Sequence, residues 1–472
     1  MRSDAVGPLA AAVAQLCRTV APRLGGRSAA AVGTVADRLG SPLQVAVVGR
    51  VSSGKSTLVN ALIGRRVAPT GVGECTRLVT RFRSGTADRV DVVLRDGGRR
   101  SLPLDADGAV PADLGVDPTA VAHLDVRLTS ALLRDLTVVD TPGLGSVDGA
   151  VTPDATGTGG AEAVLYVITQ AARADDAQAL ATFATGCAGP GNVVAVLTKA
   201  DTVPGGWAAA RALAQRQAAA LRPRVADVLP VVGLLAETAE SGAFTSGDAA
   251  SLHDLAAADD QTRTTLLAST DLFTDLDAPV PAAVRRRLLA SLDLYGVAHA
   301  LALIDADPAL TAGGLRRGLL AASGFEVVRA RIDAVFRNRA DGLKAAAALA
   351  SLATLPRDPR ERDVLRSAVE GLLQRPAAHQ LRLLHALTQV TSGAVALPDH
   401  LVDEVLRVGG SSAAAAQLGA VGSSPAELTA TALDRAGWWR SFASFGATPA
   451  QARVAHEVHR AYFLLWQQLR GR

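Results

Sequence analysis

The sequence predicts an α/β domain, a mainly parallel sheet with helices on both faces, joined to an α-helical bundle formed by the N- and C-terminal segments. Three observations carry this prediction. Residues 49–64, GRVSSGKSTLVNALIG, follow the apolar run LQVAVV and open a helical pattern, giving a strand–loop–helix unit. From residue 43 to about 240, short apolar runs alternate with Ala-rich helical stretches, as in parallel strands joined by crossover helices. From 281 to 472 no run reads as a strand, and apolar residues recur at helical spacing. A chain of 472 residues has room for two to three domains, at roughly 150 residues each. The expected division is 1–40 as helices joining the bundle, 41–270 as the α/β domain and 271–472 as the helical part.

Taken in order, the first residues carry an early acid and the spacing Leu9, Val13, Leu16, Val20, Leu24, an amphipathic helix rather than a signal peptide. Gly49, Gly54, Lys55 and Ser56 then fit G-x-x-x-x-G-K-[ST]. Glycines allow the tight turn that aims the backbone N–H groups of Ser52, Ser53, Gly54 and Thr57 and their neighbours into one phosphate-sized concavity. Lys55 adds a cation for the β- and γ-phosphates, Ser56 a hydroxyl for Mg²⁺, and the helix N-terminus its dipole. The helix runs through Leu58, Leu62 and Ile63 and stops at Gly64.

A loop leads to Thr76, whose hydroxyl can complete the Mg²⁺ shell, and to a strand at RLVTRF. A hairpin around Asp96, Gly97 and Gly98 and a strand at AHLDVRL follow. LTVVDTPG places Asp140 at a strand end, suited to a Mg²⁺-bound water, and offers the Gly143 N–H to a γ-phosphate. NVVAVLTKAD ends another strand in Thr198, Lys199 and Asp201. The Asp201 carboxylate can accept from the N1–H and 2-amino group of guanine and would reject adenine, and the Lys199 stem can lie on the base plane. The substrate so read is GTP. A last strand is expected at VLPVVGLLAET, with Gly233 and Leu234 closing over the base.

Composition limits the alternatives. Hydrophobic residues make up 49% of the chain but aromatics only 3%, so the core is aliphatic. A net charge of +3 gives no electrostatic footprint for nucleic acid, and no nucleic-acid partner is expected. Cys17, Cys75 and Cys187 are isolated, as in a reducing compartment without a cysteine metal site. No run of about 18 uncharged apolar residues occurs, and LLASLDLYGVAHALALI, with Asp293 and His299, reads as a bundle helix. The chain has three lysines, Lys55, Lys199 and Lys344, and two of them fall in nucleotide motifs. Where arginine supplies nearly all positive charge, a surviving lysine marks a place that wants a compact charge or a flexible stem.

In this order GRVSSGKSTLVNALIG, P-T-x5-T-R at Pro69 to Arg77, VVDTPGLGS, TKAD and VLPVVGLLAET resemble the bacterial dynamin-like GTPases. Within these, the resemblance is to the isoniazid-inducible GTPases of actinobacteria, the C-type partner in particular. It continues through RRRLLASLDLYGVAHALALI and SGFEVVRARIDAVFRNRADGLKAAAALASL, and so covers most of the chain. The resemblance implies a GTPase head on a helical neck drawn from both chain ends, Mg²⁺-dependent GTP hydrolysis, and pairing of heads in a homodimer or with a partner GTPase. It also implies a cytoplasmic protein in peripheral contact with membrane lipids at the inner face of the plasma membrane. Ser52, Lys55, Thr76 and Gly143 are the expected catalytic positions. Val51 stands where dynamins commonly carry a glutamine that positions water, and Ser146–Gly160 is Gly/Thr-rich where a switch helix is expected. Both departures imply slow or partner-dependent turnover, as in the regulatory half of a heteromeric pair. A ribosome- or RNA-associated GTPase is a further reading, disfavoured by the small net charge and the helical C-terminus. The late aromatics Trp438, Trp439, Phe442, Phe445, Tyr462, Phe463 and Trp466 read as packing of the bundle end, and residues 408–425 as a flexible apolar loop.

Overall fold

A computed structural model describes residues 7–69, 78–143, 161–170, 192–221, 225, 227–355, 358–375, 378–391, 394–410 and 413–471. Its strands are β1 (Leu43–Gly49), β2 (Thr80–Ser84), β3 (Arg89–Leu94), β4 (Arg99–Leu102), β5 (Val121–Leu128), β6 (Leu136–Asp140), β7 (Ala163–Ile168), β8 (Val193–Leu197) and β9 (Val228–Pro230). They form one sheet in the order β4–β3–β5–β2–β6–β1–β7–β8–β9. β1 pairs in parallel with β6 and β7, and the β7–β8, β8–β9 and β2–β5 pairings are also parallel. β2–β6, β3–β5 and the β3–β4 hairpin are antiparallel, the hairpin turning at Gly97 with φ 91°.

The central strands are apolar on both sides because both sides are covered. Val45, Val47, Val138 and Leu165 face one core, shared with Leu58 and Val59 of the helix Lys55–Ile63. Ala46, Val48, Tyr166 and Ala195 face the other, with Ala214 of the helix Gly206–Ala220. The predicted strand at VLPVVGLLAET is shorter than expected. Only Val228–Pro230 pairs, and Gly233–Glu240 is a helix. After β9 the chain leaves the sheet, with Val232 N donating to Ser323 O, and helix-forming Leu, Ala and Glu take over.

The N-terminal helices Pro8–Val20 and Gly26–Leu39 find their apolar partner at the other end of the chain. Leu9, Val13, Cys17 and Val35 share a core with Ala345, Ala348, Leu352, Leu365 and Leu381. A second helical core joins Leu384, Leu387, Val405, Trp439, Val458 and Tyr462. The loop expected at 408–425 contains the short helix Ala414–Leu418, and Leu418 plugs this core.

Packing runs across residue 270. Leu288, Leu292, Val297 and Leu319 share a core with Ala200, Val203 and Leu235, and Phe325, Val328, Ile332 and Val335 pack on the sheet core itself. The helix Ala282–Ala306 is, among the described residues, the one long and apolar enough to cross a membrane by length and composition. Asp293 breaks its helical geometry at φ 54°, and Leu288, Val297 and Ile304 are buried against the head.

Candidate functional site

The carboxyl ends of β1, β6 and β8 meet at one place, as parallel α/β sheets dictate for a ligand site. β1 ends at Gly49, where an added Cβ would lie 2.4 Å from Val167 O, so only glycine lets β1 approach β7 there. The loop then turns through Ser52 at φ 59° and Gly54 at φ 84°, and the helix starts at Lys55. Gly54 spares the turn a side chain in the left-handed region, whereas Ser52 bears that strain, a common mark of functional loops.

Lys55 is buried and its Nζ donates to Arg50 O at 2.8 Å, so the lysine folds over its own loop. Burial lowers its pKa, and the charge of Asp140 opposes that shift. Ser56 Oγ donates to Asp140 Oδ2 at 3.0 Å. Asp140 Oδ1 is sealed from solvent and has no hydrogen-bond partner among the described residues. Burial pushes the Asp140 carboxyl up to about 6, against the pull of Lys55 and of the hydrogen bonds from Ser56 and the Thr141 backbone. A buried carboxylate oxygen with an open lone pair, next to a serine hydroxyl, is a donor set suited to Mg²⁺, which takes few protein oxygens and fills its shell from phosphate and water.

The DTPG segment is bolted onto this loop. Thr141 Oγ1 donates to Val47 O at 2.8 Å, and an added Cβ on Gly143 would lie 2.7 Å from Val51 N. TKAD is tied in from the other side, with Thr198 Oγ1 donating to Ser53 O at 2.6 Å. Thr198 is therefore a strut between two loops rather than an exposed base contact. Lys199 is exposed, with φ 54°, and lines a cleft of about 340 Å³ together with Arg50, Val51, Ser52, Ser53, Thr169, Gln170 and Thr202. Asp201 is half-buried. Burial pushes its carboxyl up, with the Asp293 charge adding and Lys199 opposing. Gly233 opens its helix 3.6 Å (from an added Cβ) from Thr57 Cγ2, on the flank of the phosphate-loop helix.

The structure thus brings Gly49, Ser52, Ser53, Gly54, Lys55, Ser56, Asp140, Gly143, Thr198 and Lys199 together, with Asp201 two residues beyond Lys199 and Gly233 beside Thr57. Thr76 and the Ser146–Gly160 segment lie outside the described residues. One supporting residue was not anticipated. Asn60 is buried and uses both ends of its amide: Oδ1 accepts from Val67 N and Ala68 N, and Nδ2 donates to Ala68 O and to Glu237 Oε1 at 2.7 Å. It fixes the exit of the phosphate-loop helix to the Gly233–Glu240 helix. A polar residue in an otherwise apolar helical stretch was the available signal.

Residues 45–181 match the sequence profile described as Dynamin family. The isoniazid-induced protein IniC of Mycobacterium tuberculosis (strain H37Rv) is 32% identical over 426 residues, 85% of either chain. The tRNA modification GTPase MnmE of Rhodospirillum rubrum is 37% identical over 134 residues, 28% of this chain and 26% of that one. A solved structure described as an oligomerised bacterial dynamin pair aligns over 100% of this chain and 92% of that chain, at 12% identity and a TM-score of 0.38.

Proposed function

The chain belongs to the dynamin family and is a GTP hydrolase, and on that premise we propose that the cleft at Ser52, Ser53 and Lys199 binds GTP with Mg²⁺. The single observation that carries this reading is the buried Asp140 Oδ1, open beside Ser56 and Lys55. Ser56, Asp140 and Thr76 would hold the ion, which neutralises charge on the β- and γ-phosphates. Lys55 leaves Arg50 O to reach the same phosphates, and the backbone N–H groups of the loop and of Gly143 cradle them. Asp201 accepts from the guanine edge, Lys199 lies on the base plane, and Gly233 closes over the base.

Hydrolysis in this reading is coupled to pairing of heads, with itself or with a partner GTPase, and to peripheral association with membrane lipids. The exposed Val51 at the mouth of the cleft supports it: 55% exposed, it supplies no group to orient water, so that group has to come from ordering of the site on pairing. The test is GTP turnover with and without liposomes, with and without Mg²⁺, over a range of protein concentration. Stimulation by liposomes and by concentration is expected. Turnover that persists undiminished in excess chelator would overturn the Mg²⁺ assignment.

A further inference from the structure

Two of the three lysines serve the nucleotide cleft, and the third, Lys344, lies elsewhere. It sits on the helix Ala340–Thr354 and shares a narrow crevice with Val35, Arg38, Leu39, Glu162 and Ala348. Glu162 is 4% exposed and immediately precedes β7. Its Oε1 accepts from Arg38 Nη2 at 2.9 Å, and its Oε2 accepts from Gln44 N at 2.7 Å. Lys344 adds a second positive charge beside the same carboxylate.

The backbone of Glu162 is equally fixed to the head: its N–H donates to Gln44 O at 3.0 Å, and its carbonyl accepts from Asn192 Nδ2. Gln44 lies on β1, whose far end is the phosphate loop. Glu162 thus stands at the amino ends of β1 and β7, about 20 Å along a seven-residue strand from the nucleotide end. The two cations come from opposite ends of the chain. Arg38 is in the last turn of the helix Gly26–Leu39, and Lys344 is over three hundred residues later in sequence. A carboxylate buried this deeply is tolerated only while it is paired.

We propose that Glu162 is a latch that docks the helical neck onto the head, one head carboxylate paired with Arg38 of one neck helix and facing the charge of Lys344 of the other across a shared crevice. It is a positioning residue: it touches neither the nucleotide cleft nor any residue assigned to it. The consequence is that neck attachment and GTP binding are separable, because the latch acts at the opposite end of β1.

The test is hydrogen exchange on the full chain, with GTP affinity measured in parallel by a fluorescent GTP analogue. Glu162→Gln keeps an oxygen for Gln44 N–H but removes the charge that pairs with Arg38 and attracts Lys344. It is expected to bind GTP within twofold of the parent while exchange in Gly26–Leu39 and Ala340–Thr354 rises at least tenfold. Lys344→Met, on a partly exposed side chain that folding tolerates better, should raise exchange in the same two helices by a smaller factor. Exchange within twofold of the parent in both variants would overturn the latch. So would a rise confined to β1 with loss of GTP affinity, since Glu162 would then be supporting the phosphate-loop strand and not the neck.

Discussion

Lys55 is held almost out of water with, among the described residues, Arg50 O as its hydrogen-bond acceptor, a position with a purpose once phosphate replaces that carbonyl. Each charge-assisted bond to phosphate is worth about 1.5–3 kcal/mol. Lys55→Ala should therefore weaken GTP binding more than tenfold and abolish turnover, while circular dichroism shows an unchanged fold. Asp201 allows a sharper test. Asp201→Asn presents an NH₂ donor where guanine also donates, and it suits the C2 carbonyl of xanthine, so preference should move from GTP to XTP by several kcal/mol, on the order of a buried unpaired polar group. Its pH behaviour has a definite sign. Burial raises the Asp201 pKa, a backbone hydrogen bond and the Lys199 charge oppose that, Asp293 adds to it, and Tyr295 is a further ionisable neighbour. Protonation therefore begins at a higher pH than for an ordinary carboxylate, and it removes an acceptor for the guanine 2-amino group. The affinity of GTP relative to ITP, which lacks that amino group, should fall as pH is lowered from 7. Titration of the phosphates is common to both ligands and cancels in the ratio. A ratio that does not move with pH would mean that Asp201 does not read the base.

The N-terminal helices lack caps of their own, since Gly7 and Gly25 stand at the N-cap positions without a side chain to accept. Their caps come from the far half of the chain. Asp341 accepts from Leu9 N at 2.9 Å and Ala10 N at 2.8 Å, and Glu361 accepts from Gly25 N and Ser28 Oγ, both at 2.7 Å. Asp341→Ala should cost about 1–2 kcal/mol in urea unfolding, the usual worth of an N-cap, and Asp341→Asn about half of that because one oxygen remains. An Asp341→Ala midpoint equal to that of the parent would show that the cap is dispensable. This contrast explains what could be read from sequence. The phosphate loop, DTPG and TKAD are contiguous, and each is a strand end followed by residues of fixed chemistry, so their convergence follows from strand order alone. Asp341, Glu361 and Glu162 act on partners brought near only by the fold, and nothing local marks them. The stripe Phe325, Val328, Ile332, Val335 was legible as a helix face, but its partner, the sheet rather than the bundle, was not. The break at Asp293 is likewise invisible to periodicity, since its carboxylate restarts the helix by accepting from Leu294 N.

At the scale of the whole molecule, the N-terminal helices pack on residues from the far end of the chain, and the proposed nucleotide cleft is open to solvent at Val51. The cores are closed: the N-terminal helices are used up against residues 345–381, and Trp439 and Tyr462 are buried on Glu404. Val51, by contrast, is more than half exposed, within contact range of Gly143 and beside the cleft. An apolar side chain in that place neither orients water nor is buried by the chain itself. A pairing of heads across this face would bury Val51 and set a group to orient the attacking water, pre-organisation that Val51 itself does not supply. Each 1.4 kcal/mol of such ordering is worth about tenfold in rate. Specific activity should accordingly rise with protein concentration, or on adding a related GTPase of the same family. Val51→Glu, which brings like charges together across a symmetric face, should flatten that rise when turnover is compared at saturating GTP. The measurement is turnover per molecule from nanomolar to micromolar protein, with GTP saturating throughout. A rate that is high and constant across that range would show a single head to be competent alone, and the pairing of heads would then have no part in hydrolysis.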